Sequence, residues 1–287
     1  MVENDDSHYK AVISANQKLH TVLASSYNET EPHFRSENVA YVDRKLGMIA
    51  NATNARRLLD LGCGTGFIIK IAKKYVKEID GVDVTEAMLK QVDRSGNAVI
   101  HLHLADSGSF SVREGLYDIV TAYSFLHHLY DIEPTLRTAA KALRPGGKFY
   151  ADLEPNFYFW RAISDLNPNE QYDSIVKREI DSVIEKDSEI QERFRVDKET
   201  FNQAEYGKAF LGGFAHETLA EQLVTAGFKN VEIFYYWFLG QADLVNDSRR
   251  PRAEQVAMAE ILAETLTRGF PLTRQLFKYI GFVATRQ

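Results

Sequence analysis

The chain reads as an α/β protein, a doubly wound sheet covered by helices on both faces, and three observations point there. Between Arg56 and Arg286 short apolar runs alternate with stretches of helical periodicity, the pattern of parallel strands joined by crossover helices. The first run, Arg57 to Leu61, ends in the glycines Gly62, Gly64 and Gly66, where a strand turns at once into a helix. The rhythm is broken twice by purely helical segments, so of the two organisations that 287 residues suit, one large domain or one domain with an insertion, the second is favoured.

The elements follow in order. Residues 8 to 55 carry two helical stretches joined by the polar link Ser26 to Ser36. Arg57 to Leu61 is a short buried strand, and from Phe67 to Tyr75 the residues Phe67, Ile68, Ile71, Ala72 and Tyr75 recur at helical spacing. Glu78 to Val84 is a second strand, with Thr85 as N-cap of the next helix. Asn97 to Leu104 and Tyr117 to Ala122 are strands three and four. Ile132 to Leu143 is a helix with Pro134 in its first turn; it stops at Arg144-Pro145-Gly146-Gly147, before strand five from Lys148 to Leu153.

Residues 155 to 215 hold no clear strand, and Gln171 to Val196 reads as one long charged helix with Val176, Ile180, Val183, Ile184 and Ile190 along one face. The alternation then resumes with a helix from His216 to Ala226, ended by Gly227, and a sixth strand from Lys229 to Phe238. A second helical insertion, about Asp243 to Arg268, precedes a last strand from Phe277 to Ala284. The expected division is an N-terminal helical cap over 1–55, a ligand-binding core over 56–154, a helical lid insertion over 155–215, and the C-terminal part of the core over 216–287 with its own helical insertion at about 243–268.

Composition narrows the function classes. One cysteine, Cys63, excludes an intrachain disulfide and a four-cysteine zinc site, and a reducing cytoplasm fits it. The segment MVENDDSHYK is acidic where a secretory signal is basic and then apolar. Apolar stretches such as Ile233 to Leu239 fall far short of the ~20 residues that span a bilayer. The expectation is a soluble cytoplasmic protein with no membrane partner. A formal net charge of -6 argues against nucleic acid, whose binders show a basic excess. A homodimer is left open.

The chemistry-bearing segment is Leu58-Leu59-Asp60-Leu61-Gly62-Cys63-Gly64-Thr65-Gly66. A strand running through glycines into a helix lets backbone approach a ligand closely, which suits a nucleoside-containing cofactor. A nicotinamide fingerprint G-x-G-x-x-G would place its third glycine at position 67, which is Phe67. The tighter G-x-G-x-G preceded by Asp60 resembles class I S-adenosylmethionine-dependent methyltransferases. Further segments match that family in order: Gly81-Val82-Asp83-Val84, Leu104-Ala105-Asp106-Ser107, Tyr117-Asp118-Ile119-Val120 through Leu126-His127-His128-Leu129, and Leu143-Arg144-Pro145-Gly146-Gly147. The resemblance covers residues 56 to 154 closely and the final strand more loosely.

The resemblance implies a seven-stranded, mostly parallel sheet whose last strand is antiparallel, and a methyl group transferred from S-adenosyl-L-methionine to a small-molecule acceptor, an aromatic or polyketide-like metabolite, by direct displacement. The cofactor residues it implies are Asp60, Gly62, Cys63, Gly64, Gly66, Asp83, Val84, Met88, Asp106, Ser107, Tyr123 and Tyr27. Asp83 stands for the ribose hydroxyls and Asp106 for the adenine amino group. His127 and His128 follow the strand that faces the transferable methyl, and either general-base work or loop packing suits them. Glu154, Tyr158, Trp160 and Arg35 are the candidates for the substrate, although the aromatic residues of the insertion could equally bury it against the sheet.

Two alternatives remain at this point, an NAD(P)-dependent oxidoreductase and a noncatalytic cofactor-binding module. Substrates methylated on adenine or glutamine amino groups are disfavoured, because Ala122-Tyr123-Ser124-Phe125 replaces the Asn/Asp-Pro-Pro-Tyr motif of those enzymes. No metal site is expected: Asp152 and Glu154 are spaced to share a strand face, but no third ligand is evident.

Overall fold

The sheet is built from seven strands: β1 (Arg57–Leu61), β2 (Glu78–Asp83), β3 (Val99–Leu104), β4 (Tyr117–Tyr123), β5 (Leu143–Pro155), β6 (Phe228–Phe238) and β7 (Phe277–Arg286). The computed structural model describes residues 2–183 and 186–287. Strand order is β3-β2-β1-β4-β5-β7-β6, with β7 antiparallel to both neighbours and the other pairs parallel. The order reverses between β1 and β4, and the carboxyl ends of the strands beside such a switch point leave a crevice for a ligand.

Side chains of successive strand residues go to opposite faces. Leu59, Val82, Val120 and Phe149 therefore bury one face, and Leu58, Ile79, Ile119 and Tyr150 the other. The helices that cover them are, in chain order, α1 (Val2–Leu23), α2 (Tyr27–Thr30), α3 (Ser36–Thr53), α4 (Phe67–Ala72), α5 (Glu86–Leu89) and α6 (Glu133–Ala142). Val42 and Leu46 of α3 and Ile68 and Ile71 of α4 pack on the Leu58 face, and Leu136 and Ala139 of α6 on the Leu59 face. Thr85 stands at the N-cap of α5 but makes no side-chain cap bond; its backbone N–H donates instead to Asp83 Oδ1 at 2.8 Å.

The insertion holds α7 (Phe157–Ser164), α8 (Ser174–Val183), α9 (Asp187–Phe194), α10 (Lys198–Ala204) and α11 (Tyr206–Ala209); α12 (His216–Thr225), α13 (Gln241–Val245) and α14 (Arg252–Arg268) complete the chain. The single long helix expected over Gln171–Val196 is thus at least two, and Ile184 of its apolar face lies outside the described residues. The separate pieces point different ways: Ile180 joins Phe159, Trp160 and Ile163, whereas Ile190 joins Val196 and Ala204. Residues 155 to 215 also close on themselves through one isolated parallel bridge, Asn156 with Phe214.

The cap and the insertion share a core. Ala15 and Leu19 of α1 are buried with Ile190, Val196 and Ala204, and Lys18 Nζ reaches Asp197 Oδ2 at 3.4 Å and Thr200 Oγ1 at 3.2 Å. Replacing Leu19, buried in that cluster, by Ala should cost about 2–5 kcal/mol. Hydrogen exchange should then speed up in 187–204 as well as in α1; unchanged protection of 187–204 would show that the two segments do not depend on each other.

Candidate cofactor and acceptor site

A cavity opens at the carboxyl ends of β1 to β4 and is roofed by α1 and the link after it. Its floor is the first glycine loop. Gly62 has φ +69, and a Cβ there would stand 2.0 Å from the Phe125 ring, so only glycine fits between the loop and β4's continuation. At Gly64, φ +49, a Cβ would meet nothing within 4 Å, which leaves the backbone open to the cavity. Gly66 lies behind this wall: its N–H closes the turn onto Cys63 O at 2.8 Å and its φ is +88 at the start of α4.

Three carboxylates stand at the ends of three adjacent strands. Asp60 is buried, its Oδ1 accepting from Thr121 Oγ1 at 2.7 Å while Oδ2 has no partner. Burial, with a contribution from the Asp83 charge and against the Thr121 bond, pushes its pKa up to about 7. Asp83 accepts the Gly64 N–H at Oδ2 (2.9 Å) and the Thr85 N–H at Oδ1. Burial raises its pKa, against the pull of His20 and these bonds. The two backbone bonds fix the carboxylate and still leave each oxygen a lone pair for a second donor. Asp106 accepts the N–H groups of Gly108 and Ser109 at 3.3 and 3.0 Å and the Tyr9 hydroxyl at 2.6 Å.

Cys63, Val84, Met88 and Ser107 complete the lower wall, and Tyr123 and Tyr27 line the far end with His33, Phe67 and His128. The Cys63 thiol is buried and its pKa is raised, first by burial and then by Asp83 and Asp60, so it is no thiolate nucleophile. Tyr123 Oη accepts from Asn38 Nδ2 at 2.8 Å. His33 stands edge-on to Phe67 at 5.1 Å between ring centroids, and burial lowers its pKa to about 4.

The two histidines after β4 are held differently. His128 lines the cavity, its Nδ1 2.7 Å from Ala204 O; a carbonyl only accepts, so Nδ1 carries the proton and Nε2 the lone pair. Burial and then the neighbouring His127 lower its pKa to about 3. His127 sits behind it, Nδ1 against Glu154 Oε2 at 2.7 Å and Nε2 3.9 Å from Glu205 Oε2. Burial opposes its charge, but Glu154 outweighs this and the pKa is raised. His127, His128 and Glu205 are near enough to be weighed as a metal site, but the Ala204 bond takes up the His128 nitrogen that faces Glu205.

The remaining sequence candidates do not meet at this cavity. Tyr158 hydrogen-bonds Glu217, which also pairs with Arg274 at 2.7 Å. Trp160 is buried with Phe159, Ile163 and Ile180, Lys208 and Lys278 lying 4.6 and 5.2 Å from its ring. Arg35 is exposed at the start of α3. Glu154 is fully buried and turned to the backbone of the loop after β4. Asp152 and Glu154 do not share a face: the register of β5 shifts between Ala151 and Glu154 and Leu153 has φ +61, so Asp152 meets Tyr150 Oη (2.9 Å) instead. Sequence reasoning missed Tyr9, Asn16 and His20, whose spacing of seven and four sets them on one face of α1. It also missed Glu205, which carried no motif.

The structure and sequence have relatives. Residues 59–151 match the family model of a methyltransferase domain. A ubiquinone biosynthesis O-methyltransferase of Idiomarina loihiensis is 31% identical over 124 residues, 40% of this chain and 51% of that protein. A 27-O-demethylrifamycin SV methyltransferase of Amycolatopsis mediterranei is 32% identical over 115 residues, 37% of this chain and 41% of that protein. The chain thus spans about half the length of the curated relatives it matches. Among solved structures, an S-adenosylmethionine-dependent methyltransferase from Mesorhizobium loti shares the fold at TM-score 0.50 and 17% identity, over 86% of this chain and 96% of that one. Glycine loop, strand-end acids and sheet order agree with these matches, and residues 59–151 match a methyltransferase domain.

Proposed function

We propose that this chain transfers a methyl group from S-adenosyl-L-methionine to a hydroxyl or phenol of a small molecule. The observation that carries the reading is the row of Asp60, Asp83 and Asp106 along one cavity, with Asp60 Oδ2 buried and unpaired. A buried acceptor without a donor is costly, and a cationic ligand supplies what it lacks. Asp60 would face the charged methionine end, Asp83 the ribose, and Asp106 the adenine, with Gly62, Cys63, Gly64, Val84, Met88, Ser107, Tyr123 and Tyr27 as walls. The oxygen acceptor is supported by the two relatives named above, one called an O-methyltransferase and the other a methyltransferase of a 27-O-demethyl compound.

The bound donor supplies a methyl group already activated on a sulfonium, so the protein's tasks are alignment, exclusion of water and proton removal. The cap over 1–55 closes the cavity, and the insertion over 155–215 backs it through the Ala204 carbonyl on His128. His128, neutral and presenting Nε2, takes the acceptor's proton, and Glu205, 3.6 Å from His128 Nδ1, stabilises the charge that results against the opposing effect of His127. Among the described residues no helix is long and apolar enough to cross a membrane. The single cysteine supports a cytoplasmic location, and the net charge of -6 supports a small-molecule rather than a nucleic-acid partner. The exposed Ile261 and Leu272 support self-association as a homodimer.

Three outcomes test this. S-Adenosylmethionine and S-adenosylhomocysteine should raise the melting temperature, whereas NADH and NADPH should not; the reverse would make the chain an oxidoreductase. Asp60 gives a pH signature. Its pKa rises on folding from 3.8 to about 7, so its stabilising contribution is complete below about pH 4 and is lost as pH rises through about 7. A cation beside Oδ2 favours the carboxylate, so binding should expel a proton below about pH 7 and tighten as pH rises. Calorimetry in buffers of different ionisation enthalpy reads this release, and Asp60→Asn should abolish it. With an acceptor found by screening hydroxylated aromatics, His128→Gln should cut turnover by about 10²–10⁴-fold with unchanged S-adenosylhomocysteine affinity; intact turnover would leave the acceptor without this base.

A further inference from the structure

Helix α1 lays one face over the cavity, where Tyr9, Asn16 and His20 stand in line. It is tied to the strand ends at three points. Asn16 Nδ2 donates to His128 O at 2.9 Å, Gln17 Nε2 to Val84 O at 3.0 Å, and Tyr9 Oη to Asp106 Oδ2 at 2.6 Å. The first two ties end on backbone carbonyls. The third ends on a carboxylate whose Oδ2 already accepts the Ser109 N–H, while Oδ1 takes Gly108. An oxygen with about two acceptor sites is then full. Burial, followed by the bond to Asp106, raises the Tyr9 pKa, so the hydroxyl keeps its proton and donates.

We propose that Tyr9 is a specificity residue of the adenine subsite: its hydroxyl holds the place on Asp106 Oδ2, while Oδ1 takes the Gly108 N–H, so a purine amino group bound at Oδ2 and the latched position of α1 exclude each other. The inference rests on the reading of Asp106 as the adenine acid. A charged acceptor is a strong partner for either donor, so the exchange is close to balanced, and an adenine-bearing ligand releases the latch by replacing one N–H or O–H donor with another. A purine that offers a carbonyl at that position brings no donor and leaves Tyr9 in place. Selection for the amino group is therefore made at entry as well as in the bound state.

The test uses the full chain with S-adenosylhomocysteine and S-inosylhomocysteine, whose base carries a carbonyl in place of the amino group. Tyr9→Phe removes only a hydroxyl. It should bind S-adenosylhomocysteine roughly five- to tenfold more tightly than the native chain, mainly through faster association. Made in an Asp106→Ala background, the same substitution should change affinity less than twofold. Hydrogen exchange in residues 6–23 of the ligand-free protein should be faster in Tyr9→Phe. Unchanged or weaker binding by Tyr9→Phe, or equal protection of 6–23, overturns the latch; so does native-chain affinity for the inosine compound equal to that for the adenosine compound. Failure of the native chain to bind S-adenosylmethionine or S-adenosylhomocysteine at all overturns the cofactor reading itself and the latch with it.

Discussion

The candidate site depends on one buried carboxylate. Glu154 has 1% of its surface exposed, and a charge so placed persists only if donors meet it. Four do: the N–H groups of Phe125, Leu126 and His127 at 2.9, 2.9 and 3.0 Å, and His127 Nδ1 at 2.7 Å. These bonds hold the short 3-10 turn Leu126–His128 against β5. From that turn His128 reaches the cavity, Phe125 backs the glycine loop, and the His128 carbonyl receives Asn16 of the cap. The insertion closes on the same place: a Cβ at Gly207 of α11 would stand 2.9 Å from His127 Cα. The loop after β4, the cap and the insertion therefore meet on a turn where three successive backbone N–H groups end on one side chain.

How β5 delivers that side chain explains a limit of the sequence. The alternating spacing of Asp152 and Glu154 places both on one face of a regular strand, but the left-handed Leu153 and the register shift turn them apart. A bulge has no fixed sequence signature at a non-glycine position, so the pattern could not announce it. The sheet itself was legible because buried strands read as apolar runs, and β1 matches its expected bounds of Arg57–Leu61. The break in the long helix was not legible, since its apolar stripe continues through both halves and only packing partners separate them.

The same division runs through the site. Asp60, Asp83, Asp106 and the glycines could be read from the sequence because each lies at a strand end, where position follows from the strand itself. Tyr158 and Trp160 could not be placed, because aromatic residues serve a core and a ligand wall equally well. In the structure Trp160 is in a core and Tyr158 in a surface hydrogen bond. Tyr9, Asn16 and His20 escaped for the opposite reason: they form a polar stripe on a helix whose place in the fold is set by residues more than 150 positions away, Ile190, Val196 and Ala204.

That long-range packing also bears on how a ligand could enter. Helix α1 is joined to the strand ends by hydrogen bonds from Tyr9, Asn16 and Gln17, and to the insertion by a small apolar cluster. The sheet is joined to itself by two extensive cores. Segments with few buried apolar contacts open at lower free energy than the global transition, so α1 and the part of the insertion packed on it can lift together while the strands remain formed. Opening wets Asp60, Asp83 and Asp106, which eases the burial that raises the carboxyl pKa of the first two. Closing over a cation reverses the loss, because ligand charge then replaces water at the same oxygens. At Asp60 and Asp83 the burial that disfavours the charged carboxylate in an empty, closed cavity is thus offset where a cation lies beside it.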